Sequence, residues 1–350
     1  MQLARLGRAL AHSKEFEITF LCYAPRETSI ERFDGFQIYR INEKERAPRL
    51  NFDPLGIRRF YGKKNRLLSI LDEVDGDIFF QMCSSEETGW IARYCKEKGK
   101  KFIYFTASEI DVDGEFTRKN RIAGYYYKYG LKNASLIIVQ SHWQQQKLRE
   151  TFNLDSVILK NPIEIPDEIP PLSERENILW VGRGDEIKHP ETFIRLAEQI
   201  PQYKFTMIMP KSDNFPGLFD QIKAKASKIK NLEFIDFIPY NKIDTYYKKA
   251  RIFVSTSDFE GFPNTFLEAG RFGTPVVSLN VDPDGFLEKY DCGVVCKGNK
   301  DVLFEFVEGL LKDKKKWERL GGNIRSYVEK FHDVDMISDQ LGKYIYQLVK

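Results

Sequence analysis

Glu260 and Glu268 lie eight residues apart in the segment SDFEGFPNTFLEAGRFGTP at 257–275. Carboxylates so placed can accept hydrogen bonds from the paired hydroxyls of a sugar. They do not form the catalytic pair of a retaining glycosidase: along an unbroken helix eight residues rise ~12 Å, whereas that pair stands about 5–5.5 Å apart. Gly261 and Pro263 break regular structure between them, which leaves Glu260 in a loop. Glu268 falls about one turn into a helix, NTFLEAGRF, that stops at Gly273 with Pro275 beyond. The buried run RIFVS at 251–255 comes just before. The helix therefore starts outside the carboxyl end of a strand, where open α/β sheets bind ligands. Its N–H groups and dipole suit an anion. On these residues the segment reads as a ligand site rather than a plain connection.

A second group is NILWVGRGDEIKHPETF at 177–193. A buried strand ends at Gly182, Arg183 and Lys188 sit in the following loop, and Pro190 suits the first position of a helix. Arginine offers phosphate a rigid two-pronged fork and lysine a mobile point charge. Taken alone, the two are ordinary solvated loop charges.

The elements that must position these groups are legible from end to end. Strand-like runs fall near 17–23, 36–41, 77–82, 101–106 and 135–140, then at 177–182, 204–209, 231–235, 251–255, 275–279 and 293–296. Helical patterns, such as 87–98 and 142–152, lie between them. Short apolar strands between helices imply parallel sheets covered on both faces. Two such sets predict two doubly wound domains, as the 350-residue length allows. The expected boundaries are 1–160, a linker at 161–171 (NPIEIPDEIPP, four prolines), 172–332, and a C-terminal helix at 333–350.

The second half resembles glycosyltransferase family 4, the retaining nucleotide-sugar transferases of the GT-B fold. The residues that carry the likeness are WVGRGDEIK and then FIDFIPYNKIDTYYKKARIFVSTSDFEGFPNTFLEAGRFGTPVVS. The first half matches more loosely through SLIIVQSHWQQQKLRETFN and VILKNPIEIP. The resemblance implies two Rossmann-like domains facing a cleft, an acceptor side first and a donor side second, with the last helix crossing back. It implies that Arg183 and Lys188 neutralise a donor diphosphate beyond Gly182. The backbone of Gly261, Phe262, Pro263, Asn264 and Thr265 would cradle sugar and phosphate. Glu260 would hold sugar hydroxyls and Glu268 the ribose. No metal and no cofactor are implied, since two cations and a helix N-terminus can balance the leaving diphosphate; the nucleotide-diphosphate sugar is a co-substrate. The implied reaction moves a hexose with retention to a glycan or lipid-linked acceptor, as in polysaccharide biosynthesis. The alternatives are a catalytically silent nucleotide-sugar-binding subunit, or an epimerase or phosphorylase on the same fold.

The first half departs from that pattern. A Rossmann-like domain opens with a strand, a Gly-rich turn and a helix; this chain opens with the helix, MQLARLGRALAHS, whose Leu3, Leu6 and Leu10 share a face. It reads as a helix packing on a sheet rather than a transit peptide. Without the central strand, runs 17–23 and 77–82 would lose a shared partner. Their backbone groups would stand buried and unpaired, at about 1–3 kcal/mol each. The expectation is that the missing strand lies upstream of Met1; the alternatives are direct pairing of the two runs or another segment in the slot. The family's histidine in the first domain is replaced by KFIYFTASEIDVDG.

Other signals exclude more than they assign. A net charge of +3, from 54 Lys+Arg and 51 Asp+Glu, is too balanced for a nucleic-acid protein. No apolar run approaches the roughly 18 residues of a spanning helix. Five scattered cysteines suit a reducing compartment, so the expected place is the cytoplasm, with a peripheral site at the inner membrane face as the variant. His12, His142, His189 and His332 lack metal-ligand spacing. Cys292 and Cys296 read as core packing on one face of a strand. Asp111 and Asp113 have the spacing of a metal-binding DxD motif but read as a loop capping pair. RRFYGKKNR, Arg58 to Arg66, reads first as a solvated loop, with contact to anionic lipid as its alternative.

Overall fold

The computed structural model describes residues 2–24, 28–42 and 57–350. In chain order the first half forms α1 (Gln2–His12), β1 (Thr19–Ala24), β2 (Ser29–Phe33), β3 (Phe36–Asn42), α2 (Ile57–Val74), β4 (Ile78–Met82), α3 (Glu87–Lys98) and β5 (Lys101–Phe105). It continues with α4 (Glu115–Lys119), α5 (Arg121–Asn133), β6 (Leu136–Val139), α6 (His142–Phe152) and β7 (Val157–Ile158). The second half forms β8 (Asn177–Val181), α7 (Pro190–Gln199), β9 (Lys204–Ile208), α8 (Pro216–Ala226), β10 (Leu232–Ile235), α9 (Asp244–Lys249) and β11 (Ala250–Ser255). It ends with α10 (Asn264–Gly270), β12 (Val276–Ser278), α11 (Phe286–Lys289), β13 (Gly293–Val295), α12 (Lys300–Lys312), α13 (Lys314–His332) and α14 (Val334–Val349). Two compact units result: Met1–Pro162 with Val334–Lys350, and Ile163–Asp333.

The second unit holds a six-stranded parallel sheet in the order β10-β9-β8-β11-β12-β13. Its strands are apolar on both faces because both are covered. Ile178 and Trp180 of β8 enter one core cluster, while Leu179 between them enters the other. Ile252 and Val254 of β11 part from Phe253 in the same way. This period of two is the pleat itself. Each such fully buried side chain stabilises the unit by about 1.5–3 kcal/mol. The proline-rich run after Asn161 is held onto this unit by arginines: Arg325 donates to the Pro166 carbonyl at 2.7 Å and Arg175 to that of Pro170 at 2.9 Å.

The first unit is split. β4-β5-β6-β7 form one parallel sheet and β1-β3-β2 a second, mixed one. On the larger sheet Leu6 and Leu10 of α1 pack with Ile337, Leu341 and Ile345 of α14 against Ile103, Phe105 and Ile138. The shared face of α1 thus covers a sheet, as its leucine spacing predicts. No strand forms in residues 2–16, and among the described residues β1 pairs with β3 and not with β4. The two strands thus share no partner among these residues, which is the gap expected where the first strand is lacking. None of the six residues of β1 is buried, and Phe79 alone is buried in β4, against four of five residues in β5.

Three local expectations are corrected. The first half is not wholly parallel: β2 runs antiparallel to β3 through a tight turn at Asp34 and Gly35, both at positive φ (50° and 84°). Asp-Gly is a strong short-range hairpin signal. The stretch Arg58 to Arg66 lies on helix α2 rather than in a loop, because Leu67, Ile70, Leu71 and Val74 carry a helical period into the core. The side chains of Arg58 and Arg59 lie outside the described residues. Cys292 and Cys296 are both buried, but they flank β13 and enter different core clusters rather than sharing one face. The capping reading of the two aspartates agrees with the structure. Asp111 accepts from the N–H groups of Ser84, Ala107 and Ser108 at 2.7–3.0 Å, and Asp113 from that of Glu115 at 2.7 Å. Among the described residues no helix is long and apolar enough to cross a membrane.

Candidate active site

In the second unit the chain reverses its winding between β8 and β11, the first and fourth strands of that sheet. Open α/β sheets bind ligands outside the carboxyl ends of the strands at such a switch point. Both groups singled out in the sequence leave from these two ends. After β8, the Gly182 N–H donates to the Ile208 carbonyl at 3.1 Å. A Cβ on Gly182 would come within 2.8 Å of the Trp180 ring, so the turn requires glycine. The two loops are tied together. Asp258 N–H donates to the Ile187 carbonyl at 2.9 Å, and Trp180 Nε1 donates to Thr256 Oγ1 at 2.9 Å. Thr256 Oγ1 in turn donates to the Lys188 carbonyl. His189, left-handed at φ 43°, places its ring 2.6 Å from Asp258 Oδ2.

This tie brings together residues far apart in sequence. Lys188 Nζ forms an ion pair with Glu260 Oε1, and the Ser257 hydroxyl donates to the same oxygen at 3.1 Å. The pair is only partly open, with 15% and 23% of the two side chains exposed. Arg183 projects outward, 69% exposed, with Nε 3.4 Å from Asp185 Oδ2. Asp185 is buried and accepts from the Ser212 hydroxyl.

Glu268 has a different setting. It is buried on α10. Its Oε1 accepts from the Tyr240 hydroxyl at 3.3 Å, and its Oε2 lies 2.9 Å from Arg271 Nη2. Arg271 is buried as well; it also pairs with Asp244 and donates to the Glu164 carbonyl at 3.2 Å. Burial first, and the Glu268 charge second, hold the Tyr247 hydroxyl well above the usual phenol range. Glu260 and Glu268 thus answer to separate sets of partners.

Between them, Phe262 turns its ring into the core, stacked on Phe286 at 5.6 Å and 5.0 Å from the His332 ring. It anchors the loop, so only its backbone is placed to meet a ligand. Gly261 is partly exposed, Pro263 is buried at the cap of α10, and Asn264 and Thr265 open its first turn. The Phe266 N–H is taken by the Pro263 carbonyl at 3.1 Å.

The sequence reading missed Asp185, Ser212, Tyr240, Asp244, Ser257 and Arg271. Arg271 was within reach, since i and i+3 on a helix are neighbours. Ser257 stands three residues before Glu260. Tyr240 and Asp244 lie 28 and 27 residues from their partners and carry no local signal.

Residues 163–327 match the family model described as "Glycosyl transferases group 1". An uncharacterized glycosyltransferase of Haemophilus influenzae is 26% identical over 175 residues, 48% of this chain and 47% of that protein. The lipopolysaccharide 1,6-galactosyltransferase of Salmonella typhimurium is 26% identical over 194 residues, 52% of this chain and 50% of that one. The chain therefore spans about half the length of these curated relatives. Among solved structures, sucrose-phosphate synthase from Thermosynechococcus elongatus superposes with a TM-score of 0.80 at 19% identity, covering 99% of this chain and 92% of the other. The Anabaena protein HepE, solved with UDP and glucose, gives 0.70 at 15%, covering 89% and 86%. The chain has the GT-B fold, as its strand pattern and motifs predict, and its second unit is similar to the group 1 glycosyl transferases.

Proposed function

We propose that this protein is a nucleotide-sugar glycosyltransferase that moves a hexose, with retention, to a glycan or lipid-linked acceptor. The observation that carries the reading is the Lys188–Glu260 pair at the switch point, with the exposed Arg183 earlier in the same loop as Lys188. Such a pair is set for exchange. An arriving diphosphate takes Lys188 and Arg183 as counter-charges, and Glu260 is released to accept hydrogen bonds from the sugar. Charge on the diphosphate grows as its bond to the sugar breaks, so the two cations act most strongly in the transition state. In this reading retention comes from attack on the same face through an oxocarbenium-like state. The departing phosphate then takes the acceptor proton. Glu268, fixed by Arg271, is the acceptor for ribose hydroxyls. The names of a galactosyltransferase relative and of a UDP-bound neighbour of the same fold support this reading.

The test is a thermal-shift screen of UDP-, GDP- and ADP-sugars, followed by calorimetric titration of the best donor and an assay of nucleotide release. One donor should raise the melting temperature and be turned over. Glu268→Gln should weaken that donor at least tenfold, roughly 1.5 kcal/mol, the low end for one hydrogen bond to a charged group. Unchanged affinity in that variant removes Glu268 from the donor site. Binding without nucleotide release makes the chain a silent binding subunit.

A further inference from the structure

The net charge of +3 hides a strong asymmetry. Residues 58–66 carry Arg58, Arg59, Lys63, Lys64 and Arg66 with no acid, a charge of +5. Residues 115–133 carry Arg118, Lys119, Arg121, Lys128 and Lys132 against Glu115, a charge of +4. These two stretches hold +9 between them, which leaves −6 on the rest of the chain.

Folding brings the two together. The Phe60 ring of α2 lies 4.9 Å from Trp90 of α3 and 5.6 Å from Tyr126 of α5. On α5 the inner side is Gly124, Tyr127, Gly130 and Leu131, all buried. Gly130 meets the Thr88 backbone so closely that a Cβ would stand 2.6 Å from it. The outer side is Arg121, Ile122, Tyr125, Lys128 and Lys132, all exposed. Ile122 and Tyr125 are each 70% exposed, and Tyr61, beside Phe60, is 54% exposed. No acid interrupts α5, and Arg121, Lys128 and Lys132 have no acidic partner among the described residues. Lys63 does not belong to this face, because Glu86 and Glu87 hold it at 2.7 Å and 3.0 Å.

We propose that the outer side of α5, with Tyr61 of α2, is a docking surface for an anionic lipid bilayer. The mixture of side chains selects the occupant. Cations meet a negatively charged surface. Tyrosines settle at headgroup level, and an exposed isoleucine reaches the acyl boundary. A nucleic acid has no use for that isoleucine, and the core of a protein interface is poor in lysine. The proposal is independent of the donor reading, since none of these residues is in the second unit.

The full chain is tested by flotation with phosphatidylcholine vesicles, with and without phosphatidylglycerol. Binding is expected only with the anionic lipid and should weaken as salt rises. Lys128→Glu with Lys132→Glu should lower partitioning at least tenfold. Ile122→Ser with Tyr125→Ser should lower it roughly fivefold at unchanged charge. Lys228→Glu with Lys230→Glu, the same charge change in the second unit, should alter it less than about twofold. Melting curves matching the parent keep misfolding apart from lost docking. Failure of the parent chain to float with anionic vesicles overturns the proposal. So does an equal loss in the Lys228/Lys230 control. Tighter binding to single-stranded DNA, unaffected by the Ile122/Tyr125 change, would replace the bilayer with a polyanion and overturn it too.

Discussion

The two carboxylates that first drew attention end up in opposite situations. Glu260 is in a loop, and its cation, Lys188, comes from another loop at the mouth of the switch point. Glu268 is in a helix, with only 4% of its side chain exposed, and its cation, Arg271, is 5% exposed and shared with Asp244. A charge pair that water can reach is exchangeable, because the medium replaces what a partner leaves behind. A pair sealed from water is not, because removing one partner leaves an uncompensated buried charge. In the proposed reading, the first pair opens for the donor, and the second stays closed and holds an acceptor still.

The largest effect that follows is on stability. Arg271→Met should cost about 3–5 kcal/mol, the usual result of breaking a buried pair from one side. Adding Glu268→Gln to it should return part of the loss, since both charges are then gone and the two sites are coupled. Urea denaturation of the four proteins in that cycle checks it. Strict additivity of the two losses would mean that Arg271 serves Asp244 and not Glu268.

The exchangeable pair should fail differently. Lys188→Met is expected to slow nucleotide release at least tenfold, about 1.4 kcal/mol or more in the transition state. Its cost in stability should stay below about 2 kcal/mol, between the exposed and buried limits. Arg183→Ala should show a similar loss of rate with a stability change within about 0.5 kcal/mol, since the side chain projects into solvent. Rates and melting curves on the same preparations decide the matter. A Lys188 variant that melts as low as the Arg271 variant and still turns over donor would erase the distinction.

The sequence discloses some of this and conceals the rest for physical reasons. Ile178–Trp180 and Ile252–Val254 read as strands because a sheet covered on both faces needs apolar residues without interruption. The first unit is less complete. There β1 and β4 are only partly buried and share no partner strand among the described residues, the gap that an absent first strand predicts. The hairpin at Asp34–Gly35 was written in the sequence, but its first strand, Ser29–Phe33, carries Glu31 and Arg32 in five residues and did not read as a strand. Helix α2 was obscured by its opening residues, where cations and Gly62 outweigh the leucine period that follows. At the site, Glu260, Glu268, Arg183 and Lys188 were visible as types at spacings. That Lys188 meets Glu260 across 72 residues is a product of topology alone.

The smallest effect is the most discriminating. Tyr240 is 44% exposed, yet its hydroxyl reaches the buried Oε1 of Glu268 at 3.3 Å. In the proposed reading, a ribose hydroxyl is to donate to the same carboxylate. Either the tyrosine yields its place, or the two donors share one oxygen, which has lone pairs enough for both. Tyr240→Phe separates these cases by sign. If the hydroxyls compete, the variant should bind donor about threefold more tightly, because no hydrogen bond must be broken first. Its unliganded form should lose about 0.5–1.5 kcal/mol for the lost bond. If they share, affinity should stay level or fall while stability drops by the same amount. Calorimetric titration of the nucleoside diphosphate, paired with a urea midpoint, reads both quantities. An unchanged affinity and an unchanged midpoint together would show that the Tyr240 hydroxyl contributes nothing to Glu268. Arg271 would then be the group that fixes the carboxylate.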